Sequence, residues 1–170
     1  MHTVSPVVRP AKADDYGSVA QLIYRSHTIS FAQFASDDWV SSRKLDDYLG
    51  RWRATLATPS PDDMTFVAVL NGVIVGTVRT NRPTSPQFES DAQLNAMHVE
   101  PELIGRGIGT ILMESALAFI KLRCYKRVEL GVIASNAGAR QFYESNGWIL
   151  LRELSDGIEG VPVVIYDLSG

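Results

Sequence analysis

The chain has 170 residues, of which 45% are hydrophobic and 21% charged, a composition that fits one globular domain and excludes a disordered chain. A formal net charge of −3 argues against nucleic acid as a partner, which would demand a basic face. The single cysteine, Cys124, excludes an intrachain disulfide and points to a reducing compartment.

The first thirteen residues carry no long apolar run of the signal-peptide kind, and stretches such as Val161-Pro162-Val163-Val164-Ile165 are too short to span a bilayer. The expectation is therefore a cytoplasmic protein without a membrane partner. Residues 4–10 read as a first strand ended by Pro10. Asp14 and Asp15 stand where the acids of a helix N-terminus belong, ahead of Val19, Ala20, Leu22 and Ile23 at helical spacing. Residues 26–36 read as irregular, punctuated by His27, Phe31 and Phe34. Trp39, Leu45, Leu49 and Trp52 predict a second helix over about 37–56, broken near Gly50, and Pro59 opens a loop.

Met64–Leu70 and residues 73–80 are β-branched runs joined by Asn71-Gly72, the dipeptide of a type I′ hairpin turn. Residues 82–91, with Pro83 and Pro86, form a loop. Ala92–Val99 is a strand, Ile108–Leu122 a helix, Arg127–Ile133 a strand, and 136–145 a helix stopped by Asn146-Gly147. Strands over 148–154 and 161–168 flank a turn at Asp156-Gly157. Cys124, late in the apolar helix, reads as a packing residue. The order describes one mixed α/β domain over residues 1–170.

Between the strand ending at Val99 and the next helix lies Gly105-Arg106-Gly107-Ile108-Gly109-Thr110. Glycines there let successive N–H groups converge, and the helix adds its unpaired N–H groups and positive dipole end. Arg106 adds a full charge. The loop is a candidate pyrophosphate site; a tight connection that binds nothing remains the alternative. The Rossmann spacing fails, because Thr110 stands where its third glycine belongs, and a Walker loop fails because no lysine precedes Thr110.

Val99-Glu100-Pro101 followed by Gly107-Ile108-Gly109 resembles the pyrophosphate loop of the GNAT N-acetyltransferase superfamily, with Ile104 where that pattern has Gln or Arg. Downstream, Asn136-x-x-Ala139-Arg140-x-Phe142-Tyr143-x-x-x-Gly147-Trp148 is similar to a second segment of the same family. The resemblance implies a mostly antiparallel central sheet flanked by helices, with two strands splayed at an acyl-CoA site. It implies acetyl-CoA as cosubstrate and no metal. Met97 and Val99 would meet the pantetheine through their main chain, and Ile104, Gly105, Arg106, Gly107, Ile108, Gly109 and Thr110 would surround the pyrophosphate.

Asn136 resembles a pantetheine contact, with a plain helix N-cap as the alternative. Tyr143 resembles the general acid that protonates the departing thiolate, with a core aromatic as the alternative. The base is not identified. Some relatives use an acid early in the strand before the loop, where this chain has Gln93; Glu89, Asp91, His98 or water are the candidates. His2, His27 and His98 are scattered and form no metal pattern.

The implied activity is acetyl transfer to a primary amine, most simply of a small molecule. A protein amine and a catalytically silent acyl-CoA-binding module are the alternatives, and a homodimer is left open. Phe31, Phe34, Trp39, Trp52 and Trp148 are candidates for the acceptor's wall, and Asp37-Asp38 and Asp46-Asp47 for attracting a cation.

Overall fold

The hairpin at the centre of the chain forms as its turn chemistry dictates: Asn71 and Gly72 both take positive φ, 51° and 78°. A computed structural model describes residues 5–58, 60–83, 88–157 and 159–169. His2, Val4, Pro59 and Pro86 lie outside the described residues. The strands are β1 (Val7–Pro10), β2 (Met64–Leu70), β3 (Val73–Asn81), β4 (Ala92–Val99), β5 (Arg127–Ile133), β6 (Ile149–Leu154) and β7 (Val163–Ser169). They make one sheet in the order β1-β2-β3-β4-β5-β7-β6. Every neighbouring pair is antiparallel except β4 and β5.

That parallel pair is short. It is registered only at Ala92↔Val128 and Gln93↔Glu129, after which the strands diverge. A bulge on the other side of β4 helps turn it away. Between the pairs Thr77↔His98 and Arg79↔Asn95, Ala96 and Met97 stand against the single residue Val78, and Ala96 takes φ 51°.

The helices are α1 (Tyr16–Arg25), α2 (Asp37–Ser41), α3 (Leu45–Ala57), α4 (Ile108–Leu122) and α5 (Ala137–Ser145). The segment expected to be irregular begins instead as a π-helical turn, Ser26–Ser30, wound directly onto α1; the Phe31 N–H donates to the Ser26 carbonyl at 2.9 Å. The expected break in the second helix falls at residues 42–44, not at Gly50, which sits inside α3. Ser42 Oγ and Arg43 Nε both donate to the Trp39 carbonyl and close α2 there, 2.8 and 3.0 Å away. Cys124 is corrected too: it lies past the end of α4, exposed, with φ 60°. The strand expected from 161 starts at Val163, because the Val161 and Pro162 carbonyls accept from Gly157 and Ala134 instead.

Each sheet face has its own core. On one side α4 and α5 bury Leu112, Met113, Ala116 and Tyr143 against Val78, Leu94, Leu130 and Tyr166. On the other, α1 and α3 bury Val19, Leu22 and Trp52 against Val67 and Ile74. Trp52 and Trp148 are thus core residues, 5% and 3% exposed, rather than parts of an acceptor wall. Leu112 is fully buried, and its Cδ1 lies 2.9 Å from where a Cβ on Gly76 would stand. Leu112→Ala should destabilise the fold by about 2–5 kcal/mol, read as a lower urea midpoint at unchanged slope.

Candidate functional site

The divergence of β4 from β5 opens a cavity of about 1030 Å³ that runs between the two sheet faces. One part is walled by the glycine loop, the start of α4, Met97 and Val99 of β4, and Asn136, Gly138, Ala139, Phe142 and Tyr143 of α5 and its cap. The other part is walled by the π-helical turn with Phe31, Gln33 and Phe34 just after it, by Gln93 and Asn95, and by the inner faces of β5 and β7. Of the residues the sequence nominates for the cosubstrate, Met97, Val99, Ile104, Gly105, Gly107, Ile108, Gly109, Thr110, Asn136 and Tyr143 all line it. Arg106 does not; its side chain is exposed beside the loop.

The loop has the geometry of an anion cradle. Gly105 and Gly107 take φ of 86° and 85°, and nothing lies within 4 Å of where a Cβ on either would stand. Gly107 caps α4, a 15-residue helix. Among the described residues, the N–H groups of Gly105, Arg106, Gly107, Ile108, Gly109 and Thr110 have no hydrogen-bond acceptor. Such an array, at a helix's positive end, suits a pyrophosphate. Gly109 fits for a different reason, since a Cβ there would stand 3.2 Å from Phe142 Cζ.

Asn136 serves as the N-cap of α5: its Oδ1 accepts from the Ala139 N–H at 3.1 Å. That helix is fixed to the sheet by Arg140, which donates to the Tyr166 hydroxyl and the Ala134 carbonyl, both at 3.0 Å, while the Tyr166 hydroxyl donates to Glu144 at 2.6 Å. So held, Tyr143 is 8% exposed between Phe142 and Trp148. Burial pushes its hydroxyl well above the usual phenol range, so it stays protonated.

The base candidates separate. Glu89 and Asp91 are not part of the cavity wall. They lie at the closed end of β4, where the Glu89 N–H donates to Glu129 and the Asp91 carboxylate accepts from the Lys126 N–H at 3.0 Å. His98 does line the cavity, but it is buried, with Nδ1 2.7 Å from Ser26 Oγ and its ring 5.0 Å from that of His27. His27 in turn bonds the Tyr48 hydroxyl at 2.8 Å. Burial lowers both imidazoles, His27 to about 4 and His98 to about 3, so both are neutral at pH 7.

Phe31 and Phe34 line the cavity as expected. Trp39 instead packs on His27 and Arg43, and the four helix-start aspartates, Asp37, Asp38, Asp46 and Asp47, stand away from the wall. Sequence reasoning missed Phe88 and Glu159, which come from loops and reach the cavity only through the tertiary fold. Among the described residues, no three His, Cys, Asp or Glu side chains are grouped as metal ligands, and no helix is long and apolar enough to cross a membrane.

Residues 23–148 match the model of the acetyltransferase (GNAT) family. An uncharacterized N-acetyltransferase of Archaeoglobus fulgidus is 30% identical over 142 residues, 81% of this chain and 89% of that protein. The chain belongs to the GNAT family. An uncharacterized N-acetyltransferase of Methanocaldococcus jannaschii is 34% identical over 58% of this chain, and the N-acetylaspartate synthetase of Danio rerio 33% over 54%. These matches span only 44% and 31% of the two relatives' own lengths. The fold agrees with solved structures. The PaiA N-acetyltransferase of Thermoplasma acidophilum, crystallised with coenzyme A, superposes with a TM-score of 0.80 at 17% identity, covering 98% of this chain and 99% of that one.

The neutral imidazoles have a consequence for stability. Unfolded histidines protonate near 6.5 while His27 and His98 in the fold resist doing so, so the unfolded chain binds more protons below that pH. Stability should be unaffected by these groups above about pH 7 and fall as pH drops from 6.5 towards 4. In ring-proton NMR, both residues should keep neutral shifts at pH 5.5, and protonated shifts there would refute their burial as uncharged groups.

Proposed function

We propose that the protein transfers an acetyl group from acetyl-CoA to the primary amine of a small molecule, by direct attack with both partners bound together. The observation that carries this reading is one cavity with the unpaired N–H array of the glycine loop, the unpartnered edge of β4 and Tyr143 on its wall. Acetyl-CoA supplies an activated thioester. The N–H groups from Gly105 to Thr110 take the pyrophosphate, and the β4 edge at Met97 and Val99 offers main-chain groups to the amide-bearing pantetheine, as an open edge does to an added strand.

Orientation of the two partners supplies much of the rate gain. Main-chain N–H groups of the β4 edge polarise the acetyl carbonyl as negative charge develops on its oxygen. Tyr143, kept protonated by burial, gives its proton to the departing sulfur. A silent binding module would have no use for a proton donor in that position.

Acetyl-CoA should raise the thermal midpoint through linkage, and Gly107→Val, which forces a β-branched residue to φ 85°, should abolish that rise. Absence of any rise at millimolar CoA would remove the cosubstrate from the reading. Tyr143→Phe should lower kcat by roughly ten- to a thousandfold with CoA affinity unchanged. Full turnover by that variant, with chemistry rate-limiting, would reduce Tyr143 to a packing residue.

A further inference from the structure

The half of the cavity away from the glycine loop has an unusual charge inventory. Among the described residues lining the cavity there is no Lys or Arg, and one carboxylate, Glu159. His27 and His98 are uncharged there. The rest of that half is apolar or carries neutral amides and hydroxyls: Phe31 and Phe34 come from the stretch just after the π-helical turn and Phe88 from the loop before β4, with Ile29, Val163 and Ile165 beside them. The floor is opened by Gly131, where a Cβ would stand 3.4–3.7 Å from Val163, Ile165 and Phe88.

Glu159 is fixed in place. It lies between β6 and β7, and its carbonyl accepts from the Ser36 N–H at 3.1 Å, which ties this connection across to the segment before α2. The next residue, Gly160, is seated so closely that a Cβ there would stand 2.5 Å from Ser36 Oγ. The connection is braced within itself as well, the Gly160 N–H donating to the Gly157 carbonyl at 3.1 Å. The Glu159 carboxylate makes no ion pair with any described residue, and burial holds its carboxyl above the usual range. A partly desolvated carboxylate without a cation is costly unless a ligand supplies one.

Resting on the acetyl-transfer reading, we propose that Glu159 receives the acceptor's ammonium group and takes its proton, and that the acceptor is a primary amine on an apolar, aromatic-sized body without a carboxylate. The ammonium N–H proton passes to the Glu159 carboxylate, freeing the nitrogen lone pair. That pair forms the C–N bond to the acetyl carbon; the C–S bond breaks and its electron pair leaves on sulfur, which takes the Tyr143 proton. The nitrogen's second proton restores Tyr143, and Glu159 returns its own to solvent. The apolar wall takes the body of the acceptor. An α-carboxylate on that body would be desolvated opposite Glu159 with no described cation to meet it, so amino acids, aspartate included, are rejected despite the partial likeness to N-acetylaspartate synthetase.

The test is a matched pair. 2-Phenylethylamine and L-phenylalanine share the ring, the chain and the amine and differ by the carboxylate alone. With acetyl-CoA and release of the CoA thiol as readout, kcat/KM for the amine should exceed that for the amino acid by about a hundredfold or more. Glu159→Gln should lower kcat/KM for the amine by about a hundredfold, through both kcat and KM, while the CoA-induced rise in thermal midpoint stays as in the unaltered protein. Calorimetry of 2-phenylethylamine binding to the CoA-loaded protein gives a second readout that needs no turnover, and Glu159→Gln should abolish that heat. Equal or better use of L-phenylalanine or L-aspartate overturns the proposal, as does unchanged binding and turnover in Glu159→Gln. Binding of the amine that depends on Glu159, without turnover of any amine, overturns the acetyl-transfer reading and leaves the recognition by Glu159 supported. The absence of both binding and turnover overturns the proposal, and an intact CoA response in that case leaves the cosubstrate half of the reading standing.

Discussion

The structure depends on where β4 and β5 stop pairing. Two registered pairs hold them together at one end, and beyond Gln93↔Glu129 each strand keeps only its other neighbour. Glu129 sits at that last pair, fully buried, with Arg152 3.2 Å from one carboxylate oxygen and the Glu89 N–H donating to the same oxygen at 3.3 Å. Arg127 stands 3.6 Å from the other oxygen, which has no hydrogen bond among the described residues. A buried charge of this kind adds little net stability, yet removing either side would leave the other uncompensated. Its effect is to pin the closed end of the fork, so that the divergence begins at a fixed residue.

The fork decides the rest of the architecture. A sheet that splits must be covered on both faces, and α4 with α5 and α1 with α3 provide two separate cores. The bulge at Ala96 lets β4 stay on β3 as far as Gly76↔Val99 while leaving β5. Arg25 pairs with Glu100 just beyond, which joins the end of α1 to the end of the diverging strand. The Ser26–His98 hydrogen bond one residue along repeats that connection in the buried layer. The π-helical turn is thereby held over the opening, and Phe31, on its far side, packs against both His27 and His98.

Much of this was legible from local pattern. Asn71-Gly72 specifies its hairpin through φ alone, and β4, α4 and β5 begin and end where periodicity places them, because each is stabilised by contacts its own spacing announces. The glycine loop could be recognised because its conformation is required by residue type. Where the reading went astray, the deciding contacts were distant or of a kind that pattern does not encode. The π-helical turn depends on Ser26 meeting His98, 72 residues away, and α2 ends through Ser42 and Arg43 bonding back to a carbonyl rather than through Gly50. Trp148 sits beside a catalytic candidate in sequence yet donates its indole N–H to Met113 Sδ in the core. Glu159 carries no local signature at all; only the docking of its connection onto Ser36 brings it to the cavity.

The glycine loop's donors are peptide N–H groups, and this decides how such a site can change over generations. A side-chain donor vanishes with one codon, whereas a main-chain donor survives any replacement that preserves the turn. Ile104 stands where the family pattern has a polar residue, and Arg106 points to solvent, yet every N–H from Gly105 to Thr110 is still on offer. Sequences can therefore drift far apart around this loop while the two left-handed glycines keep its inheritance intact.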